Sequence, residues 1–119
     1  MKQSDIDTLR DLLISMGLTP KAVKLFSGTQ FGIIPAFPWI QPNSKTYYLF
    51  IGSIVFNGFG LNQNVTFTDF YGNPMKLDFV NTAITTTINI KFDCLYFKSV
   101  SCSNFSTFMA GTICEITVF

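Results

Sequence analysis

Cysteines and acidic side chains are the residues of this chain best able to do chemistry, because its 119 residues include no histidine. Without histidine, the usual general base and the Ser-His-Asp and Cys-His pairs are missing. Cys94, Cys102 and Cys114 form no Cys-x-x-Cys pair, so neither spacing nor ligand type fits a zinc site. We therefore expect buried free thiols and no metal centre. In an oxidising environment, Cys94 and Cys102 could instead pair across neighbouring strands.

Carboxylates offer one further route to catalysis. Asp69, Asp78 and Asp93 could supply the carboxyl pair that hydrolyses glycosides, but in the hairpin expected here Asp69 and Asp78 point to opposite faces. The only phosphate-loop candidate, Gly58-Phe59-Gly60, lacks the Gly-Lys-Ser/Thr sequence and the following helix that such a loop requires. The sequence therefore predicts no enzyme, no catalytic residue and no cofactor.

Charge and hydropathy limit the classes of partner that this chain can bind. Eight basic and seven acidic residues are interspersed and give a formal net charge of +1, whereas a nucleic-acid interface needs a concentrated basic face. No apolar run reaches the roughly 20 residues of a spanning helix. Ser4, Asp5, Asp7 and Arg10 interrupt any signal peptide. We expect no nucleic acid partner, no transmembrane segment and no signal peptide.

Helical spacing marks the first part of the chain, residues 4–26. Ser4 and Asp7 match a capping box, and Gly17 stands where a left-handed residue would end the helix. Thr19-Pro20 then predicts the start of a second, shorter helix, with proline at its first position. The apolar stripe of this arm must be buried, either on its own domain or on a neighbouring subunit.

The pattern changes twice after this arm and predicts three segments. Residues 1–28 form the N-terminal helical arm. Residues 29–44 form an extended strap, because three proline residues restrict both themselves and the residues before them. Residues 45–119 form the β domain, since every later segment is rich in β-branched and aromatic residues. The predicted fold is mainly β: an antiparallel β-sandwich, jelly-roll-like, or a small barrel, with a short N-terminal helical arm.

Two strand predictions are specific enough to test. Residues 46–56 carry apolar side chains on both faces, which is typical of a strand covered on both sides. Around residues 71–74, an odd connection places both apolar sets on one face, so we expect a three-residue loop or a bulge. That register sets Phe67 opposite Phe79. Its inward residues are Val65, Phe67, Leu77 and Phe79, and its outward residues are Thr66, Thr68, Lys76 and Asp78.

Composition gives the functional expectation. Fourteen phenylalanines and 48% hydrophobic residues accompany only 13% charged residues, yet a domain this small leaves about a third of its chain surface exposed. Part of the apolar excess should therefore lie against other protein. The sequence predicts a non-catalytic structural or assembly subunit, most simply a virion protein of the capsid, decoration or tail type, made in the host cytoplasm. Its partners would be copies of itself and other structural proteins.

The arm and the strap supply the predicted interface. It consists of Ile6, Leu9, Leu13, Met16, Phe37 and Trp39. Aromatic residues, and tryptophan above all, are enriched at binding hot spots as well as in cores. Two alternatives stay open: a ligand-binding sandwich whose exposed aromatic residues stack on sugar rings, and a protein attached to a membrane surface.

Overall fold

A computed structural model describes residues 1–32, 39–40, 43–58, 63–79, 87–102 and 105–119. These residues form one helix and seven strands: α1 Gln3–Ser15, β1 Pro20–Gly32, β2 Thr46–Gly58, β3 Gln63–Thr68, β4 Pro74–Phe79, β5 Thr87–Phe97, β6 Ser99–Cys102 and β7 Phe105–Val118. The strands build two antiparallel sheets. The main sheet has the order β1-β7-β2-β5, and the small sheet has the order β4-β3-β6. This is a small β-sandwich with a helical arm, as the sequence predicts.

Strand β2 is covered on both faces, which confirms the interpretation of its sequence. Tyr48 and Phe50 face the small sheet, whereas Tyr47 and Leu49 face α1. Two apolar clusters result. The inner core, between the sheets, contains Ile40, Tyr48, Phe50, Ile54, Phe56, Val65, Phe67, Leu95, Phe97, Met109 and Ile113. The helix core, between α1 and the main sheet, contains Ile6, Leu9, Leu13, Tyr47, Leu49, Phe70, Cys114, Ile116 and Val118.

Helix α1 packs on its own domain, which decides between the two alternatives for the arm. Its end is as predicted: Gly17 has a φ of +83°, and Leu18 N–H donates to the Leu13 carbonyl at 3.0 Å. Its start lies earlier than predicted. The Asp5 carboxylate accepts the Lys2 N–H at 2.9 Å, so Lys2 is the N-cap and Ser4 already lies inside the helix. Among the described residues, no helix is long and apolar enough to span a bilayer.

The predicted second helix is wrong, because Pro20–Gly32 forms strand β1. This segment pairs with β7 along its length, from Pro20 opposite Val118 to Gly32 opposite Thr107. A helix of two turns has little stability of its own. The strand instead completes a long ladder and packs Phe26 against the inner core. Pairing between distant parts of the chain overrides the short helical spacing.

The β3–β4 hairpin has an odd connection, as predicted, but its loop is longer than the expected three residues and its pairing differs. Phe67 lies opposite Met75, not Phe79, and a five-residue loop, 69–73, joins the strands. Asp69 Oδ1 organises this loop by accepting the N–H groups of Asn73 at 2.8 Å and Tyr71 at 2.9 Å. These hydrogen bonds, the one from Asn73 first, lower the pKa of Asp69.

The inward and outward faces of this hairpin follow the predicted alternation. Val65 and Phe67 are buried, and Leu77 packs against the inner core. Lys76 and Asp78 are exposed, while Thr66 and Thr68 are half-buried. The Phe79 side chain lies outside the described residues. Because side chains alternate with period two, a loop of different odd length changes the partners but keeps the faces.

A line of irregular backbone crosses the main sheet from β1 to β5. Gly28 lies opposite Gly111, and Gly111 lies opposite Gly52. All three have positive φ, +116°, +150° and +155° respectively. The irregularity continues on β5 as a bulge. Phe50 of β2 lies opposite Leu95, but Gly52 lies opposite Phe92, so the register of β5 shifts between these two positions. We call the three residues the glycine rung. Glycines and bulges of this kind allow long strands to bend.

Candidate binding cleft and exposed sheet edge

The described surface has one pronounced cleft, at the end of the main sheet where β1 and β2 begin and β7 ends. Its volume is about 350 Å³, and its wall consists of Lys24, Phe26, Trp39, Asn43, Thr46, Glu115 and Thr117. Alternation places these strand residues together: Lys24 pairs with Glu115, and Thr46 pairs with Thr117. We call this the Trp39 cleft.

Aromatic rings form the apolar side of the Trp39 cleft. The Phe26 and Trp39 rings are nearly parallel, with an interplanar angle of 17° and centroids 6.4 Å apart. Trp39 is half-buried, and its backbone N–H donates to Gln30 Oε1 at 3.0 Å. Gln30 of β1 therefore contacts the backbone of Trp39, and Phe26 of the same strand lies beside its indole ring.

The polar side of the cleft combines charges of both signs with hydroxyl and amide groups. Glu115 Oε2 accepts a hydrogen bond from the Tyr48 hydroxyl at 2.9 Å, which fixes the carboxylate. Lys24 lies opposite Glu115 in the ladder, but it forms no ion pair with any described residue. The ion pairs found there involve Arg10, Lys76 and Lys91. Asn43 is fixed too, since its N–H donates to Thr46 Oγ1 at 2.9 Å.

This arrangement suits the binding of a small molecule. Among the described residues of the cleft wall, Glu115 is the only carboxylate, whereas glycoside hydrolysis uses two. Among the described residues, no group of three or more His, Cys, Asp or Glu side chains could hold a metal ion. Concave sites with an aromatic wall and a few fixed polar groups are typical of small-molecule recognition.

The residues of the predicted interface are divided between the core and the cleft. Ile6, Leu9 and Leu13 are buried in the helix core, and Met16 packs against it half-buried. Trp39 lies in the cleft wall, and Phe37 lies outside the described residues. Lys24 and Glu115 were not predicted as site residues. Residues 20–26 were expected to form a helix, and only a strand there places Lys24 opposite Glu115.

A second candidate surface is the free edge of β1. Within the described chain, β1 pairs only with β7, so its other edge is open. Val23 and Leu25 are 37% and 52% exposed there, on the face that carries α1, because they pair with the helix-core residues Ile116 and Cys114. From Leu25 to Gly32 the strand has no charged residue.

The other three sheet edges are short or protected. Strand β6, an edge of the small sheet, has only four residues. Strand β4 begins with Pro74 and carries an exposed Lys76–Asp78 ion pair at 3.4 Å. Strand β5 carries exposed Lys91 and Asp93, 3.8 Å apart, next to its bulge. Proline, charges and bulges are the usual devices that stop a sheet edge from pairing with another chain. The distal part of β1 lacks the charges and the bulge, so it is the edge best suited to accept a strand.

The thiols differ more than predicted. Cys114 is buried as expected, but Cys94 is exposed, because the bulge interrupts the alternation on β5. The Cys102 side chain lies outside the described residues. Burial raises the pKa of Cys114 to about 11, which keeps this thiol protonated and unreactive near neutral pH.

Thiol labelling tests this difference. With a maleimide at pH 7.5, Cys94 should be modified rapidly in the native protein, and Cys114 only after unfolding. Mass spectrometry of peptides from partly labelled protein measures both rates, and Cys94→Ser should remove the fast phase. Fast native labelling of Cys114, or slow labelling of Cys94, would contradict the burial described above.

Comparison with known proteins gives no family. No protein-family model matches this chain, and a search of curated proteins finds no significant match. The Trp39 cleft and the β1 edge are therefore the observations from which a function can be argued.

Proposed function

We propose that this chain is a non-catalytic structural subunit that assembles through the open edge of β1. The observation that carries the proposal is the contrast between residues 25–32 of this edge, which carry no charge, and the protected edges of β4 and β5. The first part of β1 resembles those protected edges, since it contains Pro20, a register shift and two lysines. Backbone N–H and C=O groups along an open edge gain hydrogen-bond partners when another strand is added. The excess of apolar residues over charged ones, which first suggested assembly, agrees with this use of the surface.

The simplest partner is a second copy of the chain. Two β1 strands that pair antiparallel form a two-fold interface, in which the same residues meet on both sides. Val23 and Leu25 of each copy would then be covered, at roughly 25 cal/mol per Å² of apolar surface removed from water. A two-fold contact alone closes at the dimer, and such dimers build shells or tubes only when a further contact repeats by symmetry. We therefore propose a virion protein of the capsid, decoration or tail type, in which other structural proteins of the same particle supply the further contacts.

Oligomeric mass and one charged substitution test the proposal. We expect the protein to elute with a mass that is a multiple of 13.3 kDa in size-exclusion chromatography with light scattering. Leu25→Lys should convert it to the monomer, since charge on an open edge prevents strand pairing. Leu25 is more than half exposed, so this variant should retain its circular dichroism spectrum.

Met75→Lys is the matched control. Met75 is 44% exposed on β4, the edge strand of the small sheet, so the substitution adds the same charge at an apolar surface position away from β1. It should leave the oligomer intact. A wild-type protein that stays monomeric at high concentration would refute the assembly proposal. An oligomer that survives Leu25→Lys would refute the role of the β1 edge.

A ligand-binding module is the second candidate, and the Trp39 cleft is the observation that favours it. The cleft is formed within one chain, so it does not depend on assembly.

A further inference from the structure

We propose that the Trp39 cleft is a binding site for a neutral sugar ring. This inference goes beyond the structural role proposed above and rests on different residues. The volume of about 350 Å³ lies at the lower end of the range of roughly 300–1,000 Å³ that small-molecule sites occupy. It is large enough for one or two pyranose rings. Three features of the cleft favour a sugar: its aromatic wall, its hydrogen-bonding groups and its balance of charge.

The aromatic wall matches the apolar side of a sugar. A pyranose ring presents C–H groups on its faces and hydroxyl groups around its rim, so one face packs on an aromatic ring while the rim stays polar. Trp39 and Phe26 offer such a surface, nearly parallel to one another. The half-buried Trp39 indole already lies against Phe26. This contact restricts the ring, so less side-chain freedom is lost when a ligand binds.

The polar groups match the rim. Each sugar hydroxyl donates one hydrogen bond and accepts others, so it can use both the Glu115 carboxylate and the Lys24 ammonium group. Asn43 adds its side-chain amide group and Thr117 a hydroxyl group to the same wall, whereas the buried Thr46 hydroxyl is already bonded to the Asn43 backbone. Because Tyr48 already occupies Glu115 Oε2, the carboxylate is oriented for the ligand. Hydrogen bonds to charged groups are the stronger ones in such a site.

The balance of charge selects a neutral ligand. Lys24 and Glu115 are the charged residues among those that form the cleft wall. They lie opposite one another on the neighbouring strands β1 and β7. A charged ligand would be attracted by one of these residues and repelled by the other, so the cleft offers it no net electrostatic attraction in return for its lost hydration. A neutral polyhydroxy compound can bond to both residues and loses less hydration. We therefore expect neutral sugars to bind more tightly than uronic acids, sialic acids and free amino sugars.

Tryptophan fluorescence reports directly on this site, because Trp39 is the only tryptophan in the chain. We would titrate the protein with the methyl glycosides of glucose, galactose, mannose and N-acetylglucosamine and with their linear trisaccharides, up to ~10 mM. At least one should produce a saturable change in Trp39 emission. Glucuronate and glucosamine, which are charged analogues of glucose, should bind more weakly than the neutral sugars.

Two substitutions assign the binding to the cleft. Glu115→Gln keeps an oxygen that can accept the Tyr48 hydroxyl, so the fold should be unchanged, but loss of the charge should weaken sugar binding about tenfold or more. Lys24→Met should weaken it as well. The matched control is Lys21→Met, because Lys21 lies on the same strand outside the cleft wall. It should bind like the wild type.

Three results would overturn the proposal. They are the absence of a saturable response to any of the neutral sugars, tighter binding of the charged analogues, and wild-type affinity in both Glu115→Gln and Lys24→Met. None of these outcomes depends on oligomeric state. Failure of the sugar site is therefore distinguishable from failure of the assembly proposal.

Discussion

Gly111→Ala should destabilise the protein by at least ~3 kcal/mol, although it adds a single methyl group. Gly111 has a φ of +150°, where other residues are strained. A Cβ atom there would collide with the Ile51 carbonyl oxygen and lie 2.7 Å from Gly52 Cα. Both atoms belong to the backbone of β2, in the centre of the main sheet. They cannot yield without disturbing the ladder, so the clash adds to the strain. Urea denaturation measures the change in unfolding free energy.

Gly28→Ala is the matched control, since Gly28 belongs to the same glycine rung. Its φ of +116° also disfavours a side chain, but a Cβ atom would meet nothing within 4 Å among the described atoms. The cost should be that of backbone strain alone, about 1–3 kcal/mol. Equal destabilisation by the two substitutions would show that close approach between β7 and β2 contributes nothing at Gly111.

Leu9→Ala should cost about 2–5 kcal/mol, the usual range for deleting a fully buried leucine side chain. Leu9 is 0% exposed in the helix core, whereas Ile14 on the same helix is 54% exposed. Ile14→Ala should therefore change the unfolding free energy by only about 0.5 kcal/mol or less. Thermal and urea unfolding of the two variants measure the difference. Similar small effects would mean that α1 does not pack on its own domain.

The packing of α1 on its own domain changes the expected effect of deleting the N-terminal arm. Had the arm been buried by a neighbouring subunit, deleting residues 1–26 would leave a folded β domain that no longer assembles. In this structure the deletion uncovers Tyr47, Leu49 and Ile116 and removes half of β1. We expect aggregation or unfolding in place of a stable domain.

Local patterns predicted much of this fold, because each depends on one segment. The two apolar faces of β2 follow from period two alone, and the structure places Tyr48 in the inner core and Tyr47 in the helix core. The strand at residues 20–26 could not be predicted in this way, because a segment of seven residues fits either a helix or a strand until its pairing partner is known. The β3–β4 pairing depended on how Asp69 organises its loop, and spacing alone does not specify that.

The Trp39 cleft was beyond sequence analysis for a related reason. Lys24, Trp39 and Glu115 are far apart in the chain, and each is unremarkable among its neighbours. Only the order of the main sheet, with β7 between β1 and β2, brings them to one end of one face. The sequence predicts Trp39 as an interface residue of an extended strap and gives no indication of the β1 residues Phe26 and Gln30 that lie beside it in the structure.

The glycine rung also bears on how this chain can vary over evolution. Most buried positions accept another apolar residue of similar size, so the core can drift until ordinary sequence similarity is lost. Gly52 and Gly111 have no such freedom, because each closes off the space of the other. Substitution at one cannot be repaired by substitution at its partner. Distant relatives that keep this sheet should therefore retain both glycines in paired strands, and that pair offers a signature for recognising them.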